Sequence, residues 1–178
     1  MISLGQKFPE FRKKATVSVK PGKEFSEITN NDHISKNKWM VMFWYPKDFT
    51  FVCPTEIVEF NKNRKEFESR NAELIGASTD TEFSHLGWMM SHPDLKVLEI
   101  PLLADTSKSL AEDLGILEAE EKIAYRATFI VDPKGFVRWI NVNDLSVGRN
   151  VEEVVRVLDG LQNGGLIPCN WKKGEKTL

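Results

Sequence analysis

Two cysteines, Cys53 and Cys169, are the only thiols among 178 residues, and their settings differ. Cys53 lies in the run Phe43-Trp44-Tyr45-Pro46-Lys47-Asp48-Phe49-Thr50-Phe51-Val52-Cys53-Pro54-Thr55-Glu56. The mostly apolar stretch from Trp39 to Tyr45 reads as a buried strand, and Pro46 breaks it. Pro54 suits the first position of a new helix, because its missing N–H would be an orphan there anyway. That puts the sulfur at the start of a helix, where unpaired N–H groups and the positive dipole end favour a thiolate. A structural thiol has no need of that location, whereas a nucleophile does. Cys169 stands far downstream, in Pro168-Cys169-Asn170-Trp171, too distant for a CxxC redox motif.

The elements that must position Cys53 follow from the periodicity. Before Trp39 the chain shows short extended pieces: Lys14 to Val19, a Pro21-Gly22 turn, and Glu24 to Thr29 pairing back. After Cys53 a helix carries Ile57, Phe60 and Phe67 on one stripe. Glu73 to Ser78 reads as the next strand, and Thr81 to Ser91 as a helix with Phe83, Leu86 and Met90 at helical spacing. Ile100 to Leu103 is a short strand, and Ser107 to Leu114 a short helix stopped by Gly115. Tyr125 to Val131 and Phe136 to Val142 form a hairpin through Asp132-Pro133-Lys134-Gly135. Asn150 caps a last helix, with Glu153 completing a capping-box-like pair and Val151, Val154, Val155, Leu158 and Leu161 on its core face. From Gln162 onward Gly164-Gly165 and Pro168 break the pattern, and the end reads as a mobile extension. We therefore expect one domain over residues 1–161 and an extension over 162–178. The order β-α-β-α-β-α-β-β-α predicts an α/β sandwich with both parallel and antiparallel neighbours. Right-handed crossovers put the Cys53 loop at the carboxyl edge of a central strand.

Bulk properties remove several function classes. Hydrophobic residues make up 41% and charged residues 28%, which suits a folded soluble chain rather than a disordered one. The net charge of -2 leaves no electrostatic footprint for nucleic acid, and Lys172, Lys173 and Lys176 read as a solvated tail. No apolar run approaches the ~18 residues of a membrane span. The stretch Met1-Ile2-Ser3-Leu4-Gly5-Gln6-Lys7 lacks a signal peptide's apolar core, and two cysteines are too few for a secreted disulfide scaffold. A cytoplasmic location fits, where disulfides are transient and catalytic. His33, His85 and His92 show no zinc-like spacing with the cysteines, so no metal is expected. Trp39, Trp44, Trp88, Met89 and Met90 read as core and interface material. No phosphate loop or dinucleotide fingerprint occurs, so no bound cofactor is expected and electrons must come from another protein.

The pattern Pro46-x-x-x-Thr50-x-x-Cys53-Pro54, with Arg126 in a later strand, resembles the peroxiredoxin signature. The flanking residues, together with Pro168-Cys169-Asn170-Trp171, Phe129-Ile130-Val131-Asp132-Pro133 and Val147-Gly148-Arg149-Asn150, resemble the AhpC-type, typical two-cysteine branch of that family. The likeness runs over nearly the whole chain. It implies a thioredoxin-like fold and a thiol-dependent peroxidase that reduces hydrogen peroxide and organic hydroperoxides. Cys53 would then be the peroxidatic cysteine, and Cys169 the resolving one on the opposite subunit of a homodimer. Glu56 and Arg149 would orient Arg126. The resemblance also implies a ring of five dimers (a decamer) and a protein dithiol reductant: thioredoxin, a flavoprotein disulfide reductase or an AhpD-like adaptor.

Elementary arithmetic shows what such a site must do beyond ionising its sulfur. A thiol of pKa 8.5 is about 3% thiolate at pH 7, so complete ionisation gains roughly 30-fold. Lowering a pKa to about 6 also weakens the nucleophile, by roughly 10-fold or slightly more. The net gain is about two- to threefold, so the main effect must be stabilisation of charge on the departing oxygen. On this reading Thr50 accepts from the peroxide O–H and Arg126 holds thiolate and peroxide through its fork of donors. Pro46 shields the sulfenate. A sulfenic acid condenses readily with a second thiol, which gives Cys169 its use.

Singly, each residue has a plainer reading. Thr50 could be a turn residue, Arg126 a solvent-facing strand residue, Glu56 a helix-start carboxylate, Arg149 a surface ion pair and Cys169 a tail thiol. Two features of peroxide-sensitive relatives are missing. Pro93-Asp94-Leu95-Lys96 stands where they carry Gly-Gly-Leu-Gly, and no Tyr-Phe helix follows Cys169, so resistance to sulfinylation is expected. A redox-regulated chaperone or peroxide sensor, and more distantly a cysteine-dependent acyl hydrolase, stay open as alternatives.

Overall fold

The computed structural model describes residues 1–178. In chain order the elements are β1 (Arg12–Thr16), β2 (Phe25–Thr29), α1 (Asn31–Ser35), β3 (Trp39–Trp44), α2 (Val52–Lys62), α3 (Arg64–Ser69) and β4 (Ala72–Ser78). They continue with α4 (Glu82–Ser91), β5 (Leu102–Ala104), α5 (Ser109–Leu114), β6 (Arg126–Val131), β7 (Val137–Asn143) and α6 (Val151–Asn163). The strands form one seven-stranded sheet in the order β2-β1-β5-β4-β3-β6-β7. β3 pairs parallel with β4 and antiparallel with β6, so it is central, and its carboxyl end leads into the Cys53 loop. The hairpin expected through Asp132-Pro133-Lys134-Gly135 joins β6 to β7 antiparallel.

β3 reads as a continuous apolar run because both its faces are covered, and its side chains still alternate. Val41 and Phe43 join Ile57, Phe60, Phe67, Trp88, Val154 and Leu158 in a core under α2, α3, α4 and α6. Met40, Met42 and Trp44 join Phe8, Phe11, Leu110, Ala111 and Leu114 in the opposite core, under α5 and the N-terminal segment. The two layers clamp β3 so that its end is a fixed platform.

Several local expectations shift. α2 begins at Val52, so Pro54 occupies its third position rather than its first. Any of the first four N–H groups lacks an intrahelical acceptor, so the ring is tolerated equally well there. The single helix expected from Cys53 to Phe67 is divided at Asn63, whose φ and ψ of -85° and 4° leave the helical range. The Asn63 side chain donates to the Glu59 carbonyl at 2.9 Å, and that competition for backbone ends α2. α4 turns its other face inward: His85, Trp88 and Met89 are buried, while Phe83 and Met90 are exposed. Trp88 and Met89 are core as expected, while His85 carried no apolar signal because its partners lie elsewhere in the chain. The Asn150 cap forms, with Oδ1 accepting from the Glu153 N–H at 3.2 Å. The Glu153 carboxylate does not reciprocate but binds Arg156 at 2.6 and 2.7 Å. The five-residue α1 carried no periodic signal.

After α6 the chain has no regular secondary structure, yet it is tied down. Trp171 is buried, its indole N–H donates to the Glu175 carbonyl, and Lys173 lies 3.2 Å from the Asp159 carboxylate.

Candidate active site

Cys53 is the second residue of α2 and is 1% exposed. Its neighbour across the sheet end is Arg126, the first residue of β6, whose Nη1 lies 3.5 Å from Cys53 Sγ. That guanidinium is held on two further sides. Nε donates to the Leu145 carbonyl at 2.7 Å, and Nη1 donates to Glu56 Oε2 at 2.6 Å. Glu56 reaches it because it follows Cys53 by three residues, one helical turn along the same face of α2.

The Glu56 carboxylate also holds a second cation. Arg149, at the mouth of α6, donates through its backbone N–H and Nε to Glu56 Oε1 at 3.0 and 2.8 Å, and through Nη2 to Oε2 at 2.9 Å. Its Nη1 donates to the Ala127 carbonyl at 2.8 Å. The guanidinium lies 5.5 and 5.6 Å from the centres of the Phe43 and Phe60 rings, which stack on each other 4.0 Å apart. Burial pushes this guanidinium below its ordinary pKa and Arg126 repels it, while Glu56 pulls the other way. The carboxylate thus makes two like charges tolerable within one small volume. Two guanidiniums and one carboxylate leave an excess positive charge beside Cys53 Sγ.

Thr50 is partly exposed at the rim, and its hydroxyl donates to the Lys47 carbonyl at 2.9 Å. With its proton committed there, the oxygen keeps its lone pairs as acceptors. Pro46 is buried at the end of β3. Phe49 between them has φ of 55°, an unusual conformation for a bulky residue. Cys169 is a free, exposed thiol on the chain after α6, and Cys53 is free as well. The structure therefore brings Cys53, Arg126, Glu56 and Arg149 together, sets Pro46 and Thr50 on the adjoining loop, and leaves Cys169 apart. Sequence reasoning did not reach the Leu145 carbonyl, which has no side-chain signature, or the Phe43–Phe60 stack. No helix is long and apolar enough to cross a membrane.

A buried cysteine with a guanidinium against its sulfur, at the end of an inner strand of a thioredoxin-like sheet, fits the class of thiol-dependent redox enzymes. The comparisons with known proteins carry the assignment further. The AhpC/TSA family profile matches residues 4–140. Alkyl hydroperoxide reductase C of Mycobacterium tuberculosis is 44% identical over 186 residues, covering 100% of this chain and 94% of the relative. The putative peroxiredoxin YkuU of Bacillus subtilis is 42% identical, covering 98% and 97%. Among solved structures, Mycobacterium bovis AhpC superposes with a TM-score of 0.87 at 43% identity, covering 97% of this chain and 99% of that one. The reduced 2-Cys peroxiredoxin of Plasmodium vivax gives a TM-score of 0.91 at 33% identity, covering 99% and 92%. The chain belongs to the AhpC/TSA family and is an AhpC-type two-cysteine peroxiredoxin. It is an oxidoreductase that reduces peroxides by oxidation of a cysteine thiol.

Proposed function

We propose that Cys53 is the peroxidatic nucleophile and that Thr50, Arg126 and Pro46 shape its reaction, with Glu56 and Arg149 positioning Arg126. The observation that carries this reading is the 3.5 Å approach of Arg126 Nη1 to Cys53 Sγ by a guanidinium held on Glu56 and the Leu145 carbonyl. The thiolate attacks one oxygen of hydrogen peroxide or an organic hydroperoxide. An S–O bond forms as the O–O bond breaks, and the departing hydroxide or alkoxide takes up a proton. Arg126 offers positive charge where negative charge develops. Thr50, whose proton is spent on Lys47, accepts the substrate O–H and orients it. Pro46 restricts access to the resulting sulfenic acid. In stopped-flow measurements Arg126→Ala should lower the second-order rate constant with hydrogen peroxide by about 10²- to 10³-fold. Thr50→Val should lower it by about 10- to 100-fold. Unchanged rates in folded protein would defeat the assignment.

Residues 162–178 serve on this reading as an extension of the 1–161 domain that brings Cys169 to Cys53 of the opposite subunit. The Cys169 thiol displaces water from the sulfenic acid and an intersubunit disulfide forms. A disulfide needs Cα atoms within about 7 Å, and Cys53 is buried while Cys169 is exposed, so the first turn of α2 and the chain around Cys169 must open together. β7 is an edge strand, and its unpaired groups suit pairing with a second copy. Peroxide should produce a covalent dimer on non-reducing electrophoresis that Cys169→Ser abolishes. Exposed Phe49 of the Cys53 loop and exposed Phe83 and Met90 of α4 support assembly of dimers into a decamer, which sedimentation would measure. The working location is the cytoplasm. The electron donor is a protein dithiol (thioredoxin, a flavoprotein disulfide reductase or an AhpD-like adaptor) that returns both cysteines to thiols as its own pair becomes a disulfide.

A further inference from the structure

Beneath the loop that carries Thr50 lies a buried polar cluster that the reaction just described does not use. Asp48 is buried, and its carboxylate meets two side chains from other elements. Tyr45, just past the end of β3, donates its hydroxyl to Asp48 Oδ1 at 3.0 Å. His85, in the middle of α4, places Nδ1 2.8 Å from Asp48 Oδ2 and Nε2 3.3 Å from the Leu103 carbonyl of β5. Both ring nitrogens thus face oxygen acceptors. The Asp48 N–H donates to Asp80 Oδ2 at 2.9 Å, and the same oxygen accepts from the Ser78 hydroxyl.

These contacts are made to one residue of the turn between Pro46 and Thr50, from three different segments of the fold. Burial, and then the Asp48 charge, push the Tyr45 phenol well above its usual range, so it stays a donor. Burial and the same charge raise the Asp80 carboxyl. His85 is the one basic side chain bonded to either carboxylate. Lys47, the cation nearest in sequence, is drawn away to Glu121. The next residue, Phe49, is held in its left-handed conformation with its ring 5.9 Å from that of Trp88, one turn along α4 from His85. The turn is therefore bolted to α4 at two consecutive positions, and Thr50 follows directly.

We infer that His85 is a positioning residue for peroxide reduction, acting through Asp48 to hold the 47–50 turn so that the Thr50 hydroxyl stands where the substrate O–H must be met. The inference rests on the proposed role of Thr50. Loss of the anchor frees the turn about Phe49, whose backbone conformation is unfavourable without support. A displacement of about 1 Å at a substrate-orienting group is enough to cost about 100-fold in rate.

The test uses the full chain in a Cys169→Ser background, so that Cys53 is the only thiol. Two rates are compared: oxidation of Cys53 by hydrogen peroxide and alkylation of Cys53 by iodoacetamide, which needs the thiolate but no aligned hydroxyl. His85→Leu should slow peroxide oxidation by about 10- to 100-fold without slowing alkylation. Tyr45→Phe, nearly isosteric and lacking one donor to Asp48, should slow peroxide oxidation by about 3- to 10-fold and serves if His85→Leu does not fold. In a Thr50→Val background His85→Leu should add less than about twofold, because the two act through one group. An unchanged peroxide rate, or equal slowing of both reactions, overturns the inference. So do multiplicative effects of the His85 and Thr50 replacements. A normal rate in Thr50→Val alone would instead remove the role of Thr50 on which the inference stands.

Discussion

Replacing Glu56 by Gln keeps the volume of the side chain and deletes the charge that two guanidiniums share. The carboxylate is 3% exposed and accepts four hydrogen bonds: one from Arg126 Nη1 and three from the Arg149 backbone N–H, Nε and Nη2. An amide offers one acceptor oxygen and turns an NH₂ group toward whichever arginine faces its other end, so donor meets donor. Both guanidiniums remain buried without a compensating carboxylate. Removing one partner of a buried ion pair costs about 3–5 kcal/mol. For a chain of this length each kcal/mol corresponds to about 2–4 °C, so the reduced protein should melt about 6–20 °C lower. The chemistry should suffer as well, because Arg126 is then fixed only through Leu145, and the rate constant for hydrogen peroxide should fall by about 10- to 100-fold. Differential scanning fluorimetry and stopped-flow oxidation of the reduced enzyme measure the two effects on one sample. A melting temperature within about 2 °C of wild type together with a rate within about twofold would show that Glu56 is not the strut described here.

Three further outcomes follow from particular contacts. Gly76 of β4 has no room for a side chain, since a Cβ there would lie 2.8 Å from Leu102 Cδ2 and 2.9 Å from Phe43 Cζ, both fully buried. Gly76→Ala should cost about 1–3 kcal/mol in urea denaturation. Trp171 anchors the chain after α6, so Trp171→Ala should speed tryptic cleavage at Lys172 and Lys173 by about tenfold or more with little change in the main melting transition; equal cleavage rates would show that the anchor lies elsewhere. Burial and the Asp48 charge raise the Tyr45 phenol, so above about pH 10 the unfolded chain releases a proton that the folded one keeps, and stability falls as pH rises. Tyr45→Phe lacks that loss, and its deficit in urea midpoint relative to wild type should shrink between pH 8 and 11; a constant deficit refutes the assignment.

Much of the site was legible because its local part is written in consecutive residues. Pro46 and Pro54 bracket a strand end and a helix start, and Glu56 lies one turn beyond Cys53 on the same face, whatever the rest of the chain does. The strands were legible for a similar reason, since β3 is apolar throughout, β6 is mostly so after Arg126, and the Asp132–Gly135 turn permits few geometries. α4 shows where this reasoning stops. Phe83, Leu86 and Met90 stand at helical spacing, yet the face turned to the core is His85, Trp88 and Met89, of which Trp88 and Met89 read as core material from the sequence but His85 does not. The acceptors that meet the buried His85, Asp48 and Leu103, lie 37 and 18 residues away along the chain.

From its order of residues alone the chain determined a thiol at a helix start and a strand to hold it, while the candidate partners Thr50, Arg126, Glu56 and Arg149 came from the resemblance of its motifs to the peroxiredoxin signature. Only the tertiary structure decided that Arg126 and Arg149 converge on one carboxylate, 70 and 93 residues from Glu56. It also decided that Arg149 is buried beside two phenylalanine rings rather than paired at the surface. The physical reason is range. Caps, turns and periodicity act over a few bonds and can be read from neighbours, whereas the pairing of buried charges depends on which segments the sheet order brings side by side.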